Sequence, residues 1–199
     1  MKRKGMMNME EIYQTLPTLE TERLILRKLV MDDAADMFKY ASEPAVSRFM
    51  PWEAHKTIED TKEFLAFILN AYEQQRKLTW AIELKETGQM IGTIDYVSWL
   101  PKRFKAEIAY TLSHEYWGKG LMREVADGLL AFGFDEMGLN KVEAPIMLDN
   151  VQSRRLAEKL GMKQEGIARD HMVIKGEFVD LAMYAILKRE YKALRTETL

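Results

Sequence analysis

Three short stretches carry residue types whose spacing suits chemistry. The first is Trp117-Gly118-Lys119-Gly120-Leu121-Met122, where an alternating, extended pattern hands over to a helical one. Glycine is costly inside regular structure, so a pair at a helix start calls for a physical reason. A helix N-terminus offers unpaired backbone N–H groups and a partial positive charge, and two positions without Cβ let a bulky anion approach that backbone closely. The second stretch is Asp149-Asn150-Val151-Gln152-Ser153. Asn150 is a good helix N-cap there, and Ser153 puts a hydroxyl in the first helical turn. The third is Glu107, set among apolar residues in "KAEIAYTL", where a carboxylate needs a partner or a ligand-lined cleft. Such a group can take up a proton directly or through water.

Several other chemistries are excluded. Cysteine is absent, so there is no disulfide, thiolate zinc site or cysteine nucleophile. The three histidines, His55, His114 and His171, lack metal-motif spacing, and no metal is expected. The glycine pair fits neither common nucleotide motif. A P-loop needs Ser or Thr after its lysine, where Gly120 stands, and the dinucleotide fingerprint needs glycine at the position of Arg123. On its own, Gly-x-Gly is equally compatible with a tight turn.

These residues need a scaffold. The 199 residues suffice for one domain with a substantial core. A formal net charge of −2 argues against a dedicated nucleic-acid binder. The basic opening is followed by no apolar run of signal-peptide or membrane-span length, so a cytoplasmic protein with no membrane partner is expected. "RLILRKL" predicts a strand. "MDDAADMFKYAS" and "TIEDTKEFLAFILNAYEQQRK" predict helices, the second opened by a Thr57–Asp60 capping box. "LTWAIEL", "QMIGTIDYVSWL" and "KAEIAYTL" predict an antiparallel meander. A helix to about Gly138, a buried strand "KVEAPIML", a helix closed by Gly161, and a hairpin around Lys175-Gly176 complete the order. The expected fold is α/β, with a mixed, mostly antiparallel central sheet, helices on both faces, and the order β-α-α-β-β-β-α-β-α-β-β. Residues 1–17 form an N-terminal extension, 18–191 a single domain, and 192–199 a tail.

Together, "LETERLILRKLVMDDA", "EIAYTLSHEYWGKGLMREV", "GLNKVEAPIMLDNVQSRRLAEKLGMKQEG" and "FVDLAMYAIL" resemble the GNAT acetyltransferase superfamily, most closely its RimJ/RimL-type ribosomal-protein N-terminal acetyltransferases. The resemblance runs from about Pro17 to Tyr191. It implies acetyl-coenzyme A as cosubstrate. The family's pyrophosphate loop, Q/R-x-x-G-x-G/A, puts Trp117 at its first place, Gly120 at the first glycine and Met122 where a small residue is usual. The similarity implies that the strand ending in Tyr110, Thr111 and Leu112 splays from its neighbour and bonds pantetheine. It offers Lys119, Arg123 and Arg154 to the phosphates, beside the alternative that they are simply solvated. The family's Asn-x-x-Ser pattern matches Asn150 and Ser153, which implies a hydroxyl donating to the departing thiolate and an asparagine gripping cofactor or substrate.

The expected reaction is direct attack of a primary amine on the acetyl group in a ternary complex. Glu107 is a candidate proton acceptor, with His114 and Tyr116 as weaker candidates. By resemblance, the acceptor is the α-amino group of a ribosomal or other protein. The rivals are a small-molecule amine such as an amino-acid analogue, polyamine or antibiotic, and a non-catalytic acyl-coenzyme A module. Acceptor contacts are expected from "ASEPAVSRFMPWEAHKTIED", with Met50 and Trp52, and from Trp99. A monomer and a homodimer are both compatible with the sequence.

Overall fold

The computed structural model describes residues 7–196. Residues 1–6 of the expected extension and 197–199 of the expected tail lie outside them. Asn8 caps α1 (Met9–Thr15) by accepting the Glu11 amide at 2.9 Å. The helix stops at Leu16, whose φ is +38°, just before Pro17. Ile12 and Leu16 are core residues, so the extension packs as part of the domain.

After β1 (Leu19–Glu20) and β2 (Leu24–Arg27), a 3-10 turn at Met31–Asp33 leads into α2 (Ala34–Ala41). Asp33 does more than start a helix. It is buried, takes two bonds from the Arg27 guanidinium, and accepts the Val30 amide. The short α3 (Pro44–Ser47) precedes α4 (Ile58–Glu73), which opens with the expected reciprocal Thr57–Asp60 box. The meander follows as β3 (Leu78–Leu84), β4 (Met90–Leu100) and β5 (Lys105–Leu112). Next come α5 (Leu121–Asp135), β6 (Lys141–Met147), α6 (Val151–Lys159), the hairpin β7 (Lys163–Ile174) with β8 (Glu177–Leu187), and α7 (Lys188–Thr196). The final helix extends the expected order and buries Tyr191.

All eight strands form one sheet in the order β1-β2-β3-β4-β5-β6-β8-β7. Every neighbouring pair is antiparallel except β5–β6, which α5 connects as a parallel crossover. Both parities of β3 are buried from Leu78 to Ile82, as expected of a strand covered on both faces. On one face, the Tyr72 hydroxyl of α4 donates to Thr79 O at 2.5 Å. On the other, the Tyr96 hydroxyl donates to Leu129 O of α5 at 2.8 Å, with Trp80 edge-on to Tyr96 and Phe132. Thr79 thus marks the α2/α4 face, and Trp80 and Tyr96 mark the α5 face. Among the described residues no helix is long and apolar enough to cross a membrane.

Candidate active site

The parallel pair at the centre of the sheet is short. Lys105, Ala106 and Glu107 register with Lys141, Val142 and Glu143, and there the β5–β6 pairing ends. Beyond Glu107, β5 stays paired with β4 up to Leu112, while β6 stays paired with β8 up to Met147. A wedge therefore opens between the two strands, at the place where the family resemblance implies a splay. Antiparallel pairing points the main-chain groups of alternate residues to opposite sides of a strand. Ser113 N donates toward β4, to Ile91 O at 2.8 Å. Thr111 therefore also addresses β4, and the peptide groups of Ile108, Tyr110 and Leu112 point into the wedge. This divides the expected trio: Tyr110 and Leu112 line the wedge with backbone, and Thr111 does not.

The glycine loop caps the open end of the wedge. Gly118 and Gly120 adopt φ of +75° and +77°, a left-handed conformation that costs side-chain-bearing residues roughly 1–2 kcal/mol. A Cβ on Gly118 would meet no protein atom within 4 Å, and one on Gly120 only the Arg23 guanidinium at 3.8 Å. Backbone geometry, not protein crowding, requires glycine here, and the space above the loop is open. Among the described residues, the amides of Gly118, Lys119, Gly120, Leu121, Met122 and Arg123 donate to no protein acceptor. Met122, the departure from the family pattern, is 8% exposed and packs into the core with Leu121. Its bulk points away from the loop's open side, and its amide stays free.

Two contacts fix the loop. The Trp117 indole N–H donates to Leu112 O at 2.8 Å, tying the loop to the end of β5, and the His114 ring packs edge-on against that indole. Arg23, the residue just before β2, reaches across, bonding Glu124 through Nε at 2.7 Å and Lys119 O through Nη1 at 3.2 Å. Trp117 therefore positions the loop instead of presenting a polar group to a ligand. Tyr116 donates to Gln89 at 3.1 Å, and the Lys119 ammonium lies 4.9 Å from the Tyr116 ring centre. Arg154 is engaged by Leu148 O and the Tyr184 hydroxyl, while Arg123 is exposed at the head of α5.

Asn150 accepts the Ser153 amide at 3.2 Å, so it is the N-cap of α6 and sets where Ser153 stands. The Ser153 hydroxyl faces the Tyr110 phenol. Burial pushes that phenol up to about 12, and Ser153 works against the shift. Glu107 is not part of this group. It shares strand parity with Thr111, so its side chain lies on the α2/α4 face, opposite Tyr110. Its register neighbour Glu143 is held by Lys105 at 2.6 Å and Lys141 at 3.0 Å, whereas Glu107 has no ion-pair partner among the described residues.

On the α2/α4 face lies a cavity of about 20 Å³, lined by Tyr40, Trp52, His55, Phe64, Thr93 and Thr111 among others. The expected acceptor loop does come here. Trp52 lines the cavity, and Met50 Sδ sits 3.7 Å from Thr111 Oγ1. Trp99 does not join it; its ring packs at a tilt against Tyr13 of α1. Sequence reasoning passed over two residues on this face. His55 lies between the Trp52 and Phe64 rings, with Nδ1 2.8 Å from Thr61 Oγ1, and burial lowers its pKa. Nothing in the spacing of His55 marks it. Asp95 sits on β4 among apolar neighbours, the same signal that drew attention to Glu107.

The geometry suits a coenzyme A-like molecule: six free amides for a diphosphate, an open approach over Gly118, and a wedge edged with strand backbone. The comparisons agree. The model for the acetyltransferase (GNAT) domain matches residues 23–163. The chain is similar to the uncharacterized N-acetyltransferase YoaA of Bacillus subtilis, at 34% identity over 86% of this chain and 97% of YoaA. It is also similar to the [ribosomal protein uS5]-alanine N-acetyltransferase of Escherichia coli, at 25% identity over 84% and 89% of the two chains. A GNAT-family acetyltransferase from Bacillus anthracis has a crystal structure that superposes with a TM-score of 0.78 at 29% identity, covering 87% of this chain and all of that one. With the wedge, the loop and these relatives in agreement, the chain belongs to the GNAT family and is an acetyl-coenzyme A-dependent N-acetyltransferase.

Proposed function

We propose that this enzyme acetylates the α-amino group at a protein N-terminus, with a ribosomal protein as the first acceptor to test. The observation that carries this reading is the size of the acceptor side. The cavity beneath α2 and α4 holds about 20 Å³, whereas pockets that engulf a small-molecule ligand run to roughly 300 Å³ or more. Room for an amine and the first atoms beyond it, with the remainder of the acceptor outside, suits a chain end. The relative named for the alanine of uS5 supports the same direction.

In this reading the amides of Gly118 to Met122 meet the diphosphate, and the wedge-facing peptide groups of Tyr110, with the Leu112 amide, meet pantetheine, the Leu112 carbonyl being taken by the Trp117 indole. Acetyl-coenzyme A supplies the acetyl group as a thioester. Ser153, backed by the Tyr110 phenol, gives a proton to the departing sulfur. Asn150 holds the helical turn that carries Ser153, Trp117 holds the loop against β5, and Thr111 faces the acceptor. Glu107, at the vertex of the wedge, takes up a proton through water. An α-amino group, with a pKa of about 8, is partly neutral at physiological pH, so positioning supplies much of the acceleration.

Thiol release from acetyl-coenzyme A tests the reading, with peptides bearing Ala or Ser N-termini set against polyamines, amino-acid analogues and aminoglycosides. Turnover confined to the peptides is the expected result. Turnover confined to small amines would replace the acceptor class, and silence toward both panels would leave a binding module.

A further inference from the structure

Asp95 is the carboxylate on the acceptor face that the mechanism above does not use. It stands opposite Thr79 on β3 and Ala109 on β5. Residues opposite each other in an antiparallel pair share a face, so Asp95, Ala109 and the Thr93–Thr111 pair of the cavity lie along one surface, under α2 and α4. Glu107 is the next residue beyond Ala109 on that surface. Asp95 and Glu107 thus flank a position whose side chain is only a methyl, near the vertex of the wedge.

The hydrogen bonding of Asp95 is one-sided. Its Oδ1 accepts from the Thr79 hydroxyl. No ion pair engages it among the described residues, and its second oxygen accepts no protein hydrogen bond there, yet that oxygen is not sealed from solvent. A carboxylate shielded on most sides, anchored through one oxygen and open at the other, is arranged to receive a cation. Burial pushes its pKa up to about 6, with the Thr79 bond and the charge of Lys77 working against that shift. The Tyr40 phenol of α2 and the Tyr72 phenol of α4 feel its charge, together with that of Asp33, and burial raises the pKa of both. Both therefore stay neutral. Other charged or titratable groups on this face include Lys77, Glu107, His55, whose pKa burial lowers, and Arg27 with its partners Asp33 and Glu83.

We infer that Asp95 receives the acceptor's ammonium group and takes the proton that makes it a nucleophile. The inference rests on the amine-acetylation reading of the site. The ammonium gives one proton to the Asp95 carboxylate, leaving a neutral amine and a carboxylic acid. The nitrogen lone pair then forms the C–N bond to the acetyl carbon as the C–S bond breaks. The sulfur leaves with that electron pair and is protonated from the Ser153–Tyr110 side, and the surplus proton on nitrogen passes to water by way of Glu107. Asp95 returns its proton to solvent after product leaves. A carboxylate in this role selects acceptors that arrive as cations.

The test compares wild type with Asp95→Asn, which keeps an oxygen for the Thr79 hydroxyl. The probes are a heptapeptide with an N-terminal alanine and hydroxylamine, a nucleophile already mostly neutral at pH 7. Asp95→Asn should lower kcat/KM for the peptide roughly 100-fold, the lower end of what a positioned base contributes. It should also abolish the acidic limb of the peptide pH profile, centred near pH 6 in the wild type. Hydroxylamine turnover, corrected for the uncatalysed reaction, and acetyl-coenzyme A affinity by calorimetry should stay within about twofold. An Asn variant with the wild-type peptide kcat/KM and an unchanged acidic limb overturns the inference alone. Wild-type protein that acetylates neither probe, nor any amine in the wider panels, overturns the reading beneath it as well.

Discussion

The Ser153 hydroxyl of α6 faces the Tyr110 phenol of β5, and the two groups meet on the side of the wedge away from the acceptor cavity. Burial keeps the phenol protonated at neutral pH, so this pair can only supply a proton, which is what a departing thiolate needs. Ser153→Ala should therefore lower kcat about 10- to 100-fold and leave acetyl-coenzyme A affinity unchanged. Tyr110→Phe should act in the same direction. Because the groups work in series, the double variant should be hardly slower than the slower single one, a departure from additivity that steady-state kinetics on all four proteins measures. An unchanged kcat in Ser153→Ala removes that hydroxyl from the chemistry.

The loop glycines have a different dependence. Gly120→Val forces a β-branched residue to φ +77° at the head of α5 and should weaken acetyl-coenzyme A binding about tenfold, or roughly 1.4 kcal/mol. Gly88 provides the control. It has a similar φ of +71° in the β3–β4 turn, and a Cβ there would meet no protein atom within 4 Å, but it is not part of the amide cradle. Gly88→Ala should reduce the melting temperature and leave coenzyme affinity intact. Equal affinity in Gly120→Val and wild type, measured by calorimetry, contradicts the assignment of the loop.

Much of this site could be read from the chain because local rules governed it. The Thr57–Asp60 box, the Asn150 cap, the meander and the Lys175-Gly176 turn each depend on residues close in sequence, and each formed as expected. What escaped the reading was set by distant partners and by face. The bond from the Trp117 indole N–H to Leu112 O, which ties the loop to β5, has no signature in the motif. Asp33 stands at the start of α2, but that Arg27 also holds it depends on a partner from β2. Thr111 sits among the wedge residues in sequence, yet strand alternation turns its backbone to β4 and its side chain to the acceptor. Asp95 carried a legible signal, a carboxylate inside an apolar strand, but its consequence depended on Thr79 arriving from the neighbouring strand. Gly92 shows the same limit. A Cβ there would lie 2.2 Å from Thr111 O, a contact between β4 and β5 that no local pattern announces.

Asp95 also makes a prediction about stability that is independent of catalysis. Its folded pKa, about 6, lies above the ordinary value of 3.8, so the folded protein binds the proton more tightly than the unfolded chain does. The resulting stabilisation is complete below about pH 4 and is lost as pH rises through about 6. Near pH 7.5 the ionised, desolvated carboxylate is a net cost, and Asp95→Asn removes it. The variant should be more stable than wild type at pH 7.5, by on the order of 2 kcal/mol, with the gap closing toward pH 4. Urea melts of both proteins at the two pH values measure it, and a gap that does not change with pH would mean Asp95 is well solvated.

The acceptor loop is latched from outside the site. At the tip of the β7–β8 hairpin, the Lys175 ammonium donates to Ser47 O at 2.9 Å and lies 3.5 Å from Glu53 Oε2. Ser47 is buried at the end of α3, immediately before the segment that brings Met50, Trp52 and His55 to the cavity. The two contacts are unequal. Glu53 is 75% exposed, so its ion pair is screened by water and contributes little, whereas the carbonyl bond ties two distant segments together. Lys175→Ala should therefore raise the acceptor KM severalfold at saturating acetyl-coenzyme A, with kcat and coenzyme affinity retained and a stability loss of about 1 kcal/mol. Glu53→Gln should change none of these. If Lys175→Ala leaves the acceptor KM at its wild-type value, the hairpin tip does not set the position of the loop, and Trp52 and His55 are held by the α4 side alone.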